Sequence, residues 1–324
     1  MIDRRRFLAA LIAAGAAPAL CPRAALAQQY PTRPVRVLLG YAAGGGADAI
    51  ARTLAQQLGE RLGQNFVVDN RPGASSTIAA DALAKAPADG YTLMAADSAL
   101  LIASRAMARV SFDPIASFAP VASVATFPLA IAVNAEAPIR SLEEMAAAAK
   151  AGGKPLLYAT SGIGTVHHLA MEHLQSLAGI TMTHVPYRGA ALIVPDLLSG
   201  QIPIAVLSAT AAIPHVKAGR IRVIGLTSPA KLPDAEWRPI ADWLPGFDAS
   251  PRQFLIAPAG TPAPVLQRLE AAALGALQEP QVADIVLKQG ALPAPASSAE
   301  LAQILREELA RWDKLIKQGN ITLQ

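Results

Sequence analysis

This chain of 324 residues is poor in reactive groups. It has one cysteine, Cys21, which can form neither a disulfide nor a cysteine-ligated zinc site. Aromatic residues make up 5% and charged residues 16%, and no apolar run reaches the ~18 residues that would span a bilayer. A polytopic membrane protein is therefore excluded. The chain has no G-x-S-x-G elbow and no G-x-x-x-x-G-K-[ST] loop, so the signatures of a serine hydrolase and a P-loop nucleotidase are both missing. What it does have is apolar mass. Hydrophobic residues form 52% of the chain, with alanine alone about a fifth, and this composition does not suit intrinsic disorder. The length suits one large or two medium domains.

The formal charge of +4 is unevenly placed. Arg4-Arg5-Arg6 precede a 14-residue apolar run from Phe7 to Leu20, and Ala25-Leu26-Ala27 follows. A basic head, a short apolar middle and an A-x-A site predict an export leader over 1–27, twin-arginine-like in its opening, and hence a periplasmic protein. The leader holds four arginines and one aspartate, so the remainder carries a net charge of +1. No basic stripe interleaved with aromatics remains, and nucleic-acid binding loses its support. Cys21 leaves with the leader, which also removes any thiol nucleophile.

After the leader, apolar runs and helical periodicity alternate. Val35–Leu39 reads as a strand, followed by the Gly44-Gly45-Gly46 loop and a helix from Asp48 with Ile50, Leu54, Leu58 and Leu62 on one face. Further strands are expected at 66–68, 91–95, 129–133, 155–159, 181–185, 202–207, 221–227 and 253–257. A capping box at Ser141–Glu144, a Thr261-Pro262 helix start and a second box at Ser297–Glu300 mark helix N-termini. Segment 293–298 reads as a short linker. Two α/β units with parallel sheets, joined by crossings near 125–130 and 250–255, follow from this rhythm.

In such sheets ligands sit beyond the carboxyl ends of strands, where helix N-termini offer free N–H groups. One small-residue loop of this kind lies in each half: 41–48 and Thr160-Ser-Gly-Ile-Gly-Thr165. Together they would suit a small carboxylate between two domains. The first loop also fits G-x-G-x-x-A, with Asp69 where a ribose-binding acid belongs, which gives an exported NAD-dependent oxidoreductase as the alternative. Against it, Asp48 would stand where a pyrophosphate must lie, and an aspartate there favours capping its own helix. His167, His168, Glu172 and His173 invite a metal reading. Only His168 and Glu172 share a helix face, however, and two ligands are too few. A solvated or loop-supporting role is the expectation.

The order of several motifs sharpens this. Tyr30-Pro-Thr-Arg-Pro-Val-Arg36, Ala43-Gly-Gly-Gly-Ala-Asp48, Asn70-Arg-Pro-Gly73, Lys85-Ala-Pro-Ala-Asp-Gly-Tyr-Thr-Leu93, Tyr158-Ala-Thr-Ser-Gly-Ile-Gly-Thr165, His168-Leu169, His184-Val-Pro-Tyr-Arg-Gly189 and Phe254 to Thr261 with Pro262 run through nearly the whole chain. In this it resembles the periplasmic solute receptors of the tripartite tricarboxylate transporters, the Bug family. The resemblance implies a two-domain Venus-flytrap α/β fold, with 28–127 plus 251–324 in one domain and 128–250 in the other. It implies a monomeric, non-enzymatic receptor without cofactor or metal. The ligand is a small carboxylate, and the partner is a tripartite transporter's membrane component or a sensor. Carried over residue by residue, the implied ligand-binding set is Tyr41, Gly44, Gly45 and Asp48 on one side, and Thr160, Ser161, Gly164, Thr165 and His168 on the other. Ser98 and Ser208 complete the expected ligand-binding set, at positions where this chain departs from the family pattern. So do Ser75-Ser76-Thr77, which replace a common Gly-Gly-Asn. Because Leu207-Ser208 lacks the aspartate that some members use to hold an amine, the resemblance points away from an amino-acid ligand.

Overall fold

The computed structural model describes residues 30–107, 109–187, 190–233 and 235–322. The leader expected over 1–27 lies outside the described residues.

The first half begins with β1 (Val35–Leu39), α1 (Gly46–Leu62), β2 (Phe66–Asn70), α2 (Thr77–Ala84), β3 (Thr92–Asp97), α3 (Ser98–Ala106) and β4 (Phe118–Thr126). The second half holds β5 (Leu129–Asn134), α4 (Leu142–Lys150), β6 (Leu157–Thr160), α5 (Val166–Ala178), β7 (Thr183–Pro186), α6 (Ala190–Leu198), β8 (Ile204–Ser208), α7 (Ala209–Lys217) and β9 (Ile221–Leu226). The chain then returns as β10 (Arg252–Pro258), α8 (Ala263–Leu277), α9 (Pro280–Lys288), β11 (Leu292–Ala296) and α10 (Ser298–Gln318). Two sheets result, ordered β11-β4-β10-β3-β1-β2 and β7-β6-β8-β5-β9. This is the two-domain α/β architecture expected.

Both sheets are mixed, not parallel as expected. β1 pairs in parallel with β2 and β3, and β6 with β7 and β8, as βαβ crossovers require. The strands next to the crossings, β4, β5 and β10, pair antiparallel with their neighbours, because the chain enters and leaves each sheet there. At the crossings the two segments lie side by side: Thr126 is opposite Arg252, and the Phe127 N–H donates to the Pro251 carbonyl at 2.8 Å. The segment expected to be a linker, 293–298, supplies β11 instead. This is an edge strand whose register shifts between Pro293 and Ala296, so its prolines interrupt no interior ladder. β4 and α3 also lay outside the sequence expectation.

Three apolar layers hold the lobes. One packs α1 and α8 on the outer face of the first sheet through Ile50, Leu54, Leu58, Leu269 and Ala273. Another packs α6 and α7 on the second sheet through Ile193, Leu197 and Ala212. The third joins both lobes. It takes Leu38 and Met94 from one sheet and Ile131 and Tyr158 from the other, and α10 adds Leu301, Leu305, Leu309 and Trp312. Those α10 residues recur every three or four positions, and the Ser297–Glu300 capping box is fully formed as expected. At Ser141 only half of the expected box forms: Glu144 N–H donates to the serine, but the Glu144 carboxylate accepts from Arg140. Thr261 bonds the Pro258 carbonyl in a turn, and Pro262 takes the cap position of α8.

Candidate functional site

Because β1, β2 and β3 run parallel, the loops after all three open at the same edge of the first sheet, and β6 and β8 do the same in the second. A cavity of about 280 Å3 lies between these edges. Tyr41, Ser75, Asp97, Ala99, Ile102 and Pro251 line it from the first lobe and the crossing, and Ser161, Ile163, Gly164, Thr165, Val166 and His167 from the second.

The first loop is built around Asp48, only 3% exposed. Its Oδ2 accepts the Gly44 N–H at 2.9 Å and Arg52 Nε at 2.9 Å, while Oδ1 accepts Asn70 Nδ2 at 2.8 Å. Asn70 Nδ2 also donates to the Tyr41 carbonyl at 3.0 Å, and Arg52 donates to Asn70 Oδ1 at 2.7 Å. Burial works against ionisation of Asp48, yet the hydrogen bonds from Arg52, Asn70 and Gly44 outweigh it and hold the carboxyl at about 2. This carboxylate, fixed at the start of α1, keeps loop 41–45 in shape and stands where a dinucleotide's pyrophosphate would need space. Asp69 is likewise engaged, with Arg71 at 3.0 Å.

The second loop rests on stacked rings. Tyr158, His184 and His168 lie face to face, the two imidazoles 3.9 Å apart. Thr160 Oγ1 and His184 Nε2 are 2.6 Å apart. His168 Nδ1 accepts the Gly164 N–H at 3.2 Å, and Thr165 caps α5 by accepting the His168 N–H. Burial pushes both histidines down to about 4, so they are neutral near pH 7. Glu172, bonded to the Tyr158 hydroxyl at 2.7 Å, lies 3.6 Å from His168 Nε2. No group of three or more side chains able to hold a metal occurs among the described residues.

Of the residues expected on the site, Tyr41, Ser161, Gly164 and Thr165 line the cavity. Gly44, Asp48, Thr160 and His168 instead shape the two loops from behind, and Gly45 precedes α1 as its N-cap. Ser98 is fully buried. Its hydroxyl donates to Glu308 at 2.9 Å and accepts the Arg252 N–H, so it cannot face a ligand. Ser208 caps α7 through the Ala211 N–H and is not among the lining residues.

Asp97 is the cavity-lining carboxylate that sequence reasoning missed. Its Oδ1 caps α3 through the Ala99 N–H at 3.1 Å, and Oδ2 accepts the Tyr41 hydroxyl. Burial raises its carboxyl to about 6, against the pull of those hydrogen bonds. An Asp-Ser pair that ends a strand and opens a helix is the available signal. Among the described residues no lysine or arginine lines the cavity, and burial holds the lining histidine, His167, neutral at about 4.

The family model described as the tripartite tricarboxylate transporter family receptor matches residues 50–321. A protein from the tcbD-tcbE intergenic region of Pseudomonas sp. strain P51 is 34% identical over 97% of this chain and 94% of its own. Protein BugT of Bordetella pertussis is 30% identical over 92% and 93%. Among solved structures, a TctC solute-binding protein from Polaromonas superposes with a TM-score of 0.81 at 26% identity, covering 89% of this chain and 99% of that one. An R. palustris protein solved with adipate gives 0.73 at 31% identity, covering 90% and 99%. MatC from Rhodopseudomonas palustris, with bound malate, gives 0.67 at 28%, covering 89% and 100%. None of these relatives is named for an oxidoreductase activity, and the Polaromonas protein is a solute-binding protein. With its two lobes, its paired loops and these relatives, the chain belongs to the tripartite tricarboxylate transporter receptor family and is a solute-binding protein, not an enzyme.

Proposed function

We propose that this protein is a periplasmic receptor that closes on a small organic carboxylate and presents it to a tripartite transporter. The observation that carries the reading is the cavity fed by one strand-end loop from each lobe, since a ligand touching both halves is what biases a hinge toward closure. The adipate and malate held by its structural relatives support the carboxylate class. One carboxylate group would meet the N–H groups at the start of α5 together with the hydroxyls of Ser161, Thr165 and Tyr41. Asp48, Thr160 and His168 would hold the two loops ready.

The lobes are assigned as 28–127 with 251–324 and 128–250, after removal of 1–27 as a leader. No helix among the described residues is long and apolar enough to cross a membrane. Thermal unfolding of the mature protein with millimolar succinate, malate, adipate and 4-aminobutanoate tests the reading. A ligand at one hundred times its Kd adds about 2.7 kcal/mol, enough to raise the midpoint by several degrees. No shift with any carboxylate would overturn it.

A further inference from the structure

Asp97 is unusual for an anion receptor: among the described residues it is the only acid that lines the cavity, and no described cationic side chain lines it. A ligand with carboxylates at both ends could be gripped by loop 160–165 at one end. Its other end would then meet a carboxylate with nothing to neutralise the pair, and like charges in a partly desolvated site repel. Lining by Ala99, Ile102, Ile163 and Val166 makes the middle of the cavity apolar, so water offers limited screening there.

From this arrangement we infer that Asp97 is the specificity-determining residue of the cleft and that it selects a ligand bearing a protonated amine as well as a carboxylate. This rests on the receptor reading above and narrows its ligand from carboxylates in general to zwitterionic amino carboxylates. It runs against the expectation drawn from Leu207-Ser208, because Asp97, on the opposite lobe, supplies the partner for the amine that position 208 lacks. The carboxylate end takes the N–H groups and hydroxyls of the second lobe, a short apolar stretch crosses Ile102 and Ile163, and the ammonium pairs with Asp97. Tyr41 prepares Asp97 for this. Its hydroxyl donates to Oδ2, and the phenol, shifted well above its usual range by burial and by Asp97, stays neutral and keeps donating. Ala99 N–H fixes Oδ1 from the other side, so the carboxylate is oriented before any ligand arrives. A carboxylate has about four acceptor positions, and these bonds leave room for an ammonium. The resulting charge-assisted hydrogen bond is of the strong kind.

The test is calorimetric titration, at pH 7.5, of the mature protein and of Asp97→Asn. The asparagine keeps Oδ1 for the helix cap and turns Nδ2, a donor that the Tyr41 hydroxyl oxygen can accept from, toward Tyr41, while removing the charge. The probes are 4-aminobutanoate, 6-aminohexanoate, L-leucine and L-proline on one side and succinate, malate and adipate on the other. At least one amine-bearing probe is expected to bind the wild type ten times or more tighter than any dicarboxylate. Asp97→Asn should lose tenfold or more on that probe and gain on the dicarboxylates, with its cooperative melting retained. Preference for a dicarboxylate in the wild type overturns the role of Asp97 and leaves the receptor reading standing. So does an amine preference that Asp97→Asn does not alter. Binding of neither class overturns both.

Discussion

Several single residues act here by holding loops in place. Asp48 is the clearest case, since its carboxyl is lowered from 3.8 to about 2 while almost fully buried. A depressed folded-state value means stability that is complete above about pH 4 and is lost as pH falls through about 2, on the order of 2 kcal/mol. Asp48→Asn should therefore cost about that much in urea unfolding at pH 7, with the difference from wild type shrinking below pH 3. An equal cost at both pH values would mean that packing, not charge, carries the effect. Gly40 is constrained by space alone. A Cβ added there would sit 2.2 Å from Ser76 Oγ and 2.7 Å from its Cα, inside contact distance of backbone. Gly40→Ala should lower stability by about 1–3 kcal/mol, and because Gly40 abuts Tyr41 it should also weaken ligand binding. Unchanged chemical denaturation would refute the clash.

Among the elements, the bend before α2 carries backbone strain. Ala74, Ser75 and Ser76 have φ of 45°, 50° and 70°, three successive non-glycine residues in the left-handed region, at a cost of about 1 kcal/mol each. Ser75 of this bend lies on the cavity wall. Ala74→Gly should raise stability by about 0.5 kcal/mol after the glycine's greater unfolded-state freedom is counted; a loss would show that the strain is relieved elsewhere.

The stacked histidines set a second dependence. His168 and His184 are lowered from 6.5 to about 4, so their contribution is complete above about pH 6.5 and is lost as pH falls through 4, when the unfolded chain binds protons that the fold cannot accept. Asp97 opposes this. Its raised carboxyl gives stability that is present below about pH 4 and lost as pH rises through 6. Net acid destabilisation should flatten in His184→Gln and steepen in Asp97→Asn, as read from urea midpoints between pH 4 and 7.

Legibility differed by element. Helical faces such as Leu301, Leu305, Leu309 and Trp312, and the cap at Ser297, are local patterns and could be read directly. β11 was read as a linker because prolines argue against a strand unless its edge position is known. The direction of β10 depends on where a distant crossing returns the chain. Both loops of the site were visible as strand-to-helix turns, but which of their residues face inward was not. Asp97 and Ser98 are adjacent, and only three-dimensional packing decides that the first lines the cavity while the second binds Glu308.

For the whole molecule, the lobes meet near the crossings as well as through the shared apolar layer. Gly290, at φ 67°, lies against Thr210 so closely that an added Cβ would be 2.5 Å from Thr210 Cγ2. Gly290→Ala should force the lobes apart at this point, lowering ligand affinity and stability without touching the cavity lining. Unaltered calorimetric affinity would show that the contact plays no part in closure.

That no lysine or arginine among the described residues lines the cavity bears on kinetics. A receptor that draws anions with a field of fixed positive charge captures them faster in dilute buffer and slows as salt is added. This one would hold the carboxylate end of its ligand with peptide dipoles and hydroxyls, whose fields fall away within a few ångströms, and a zwitterion carries no net charge for Asp97 to draw from a distance. Encounter would then proceed at the unsteered pace of diffusion, and a tenfold rise in ionic strength would leave the association rate nearly unchanged.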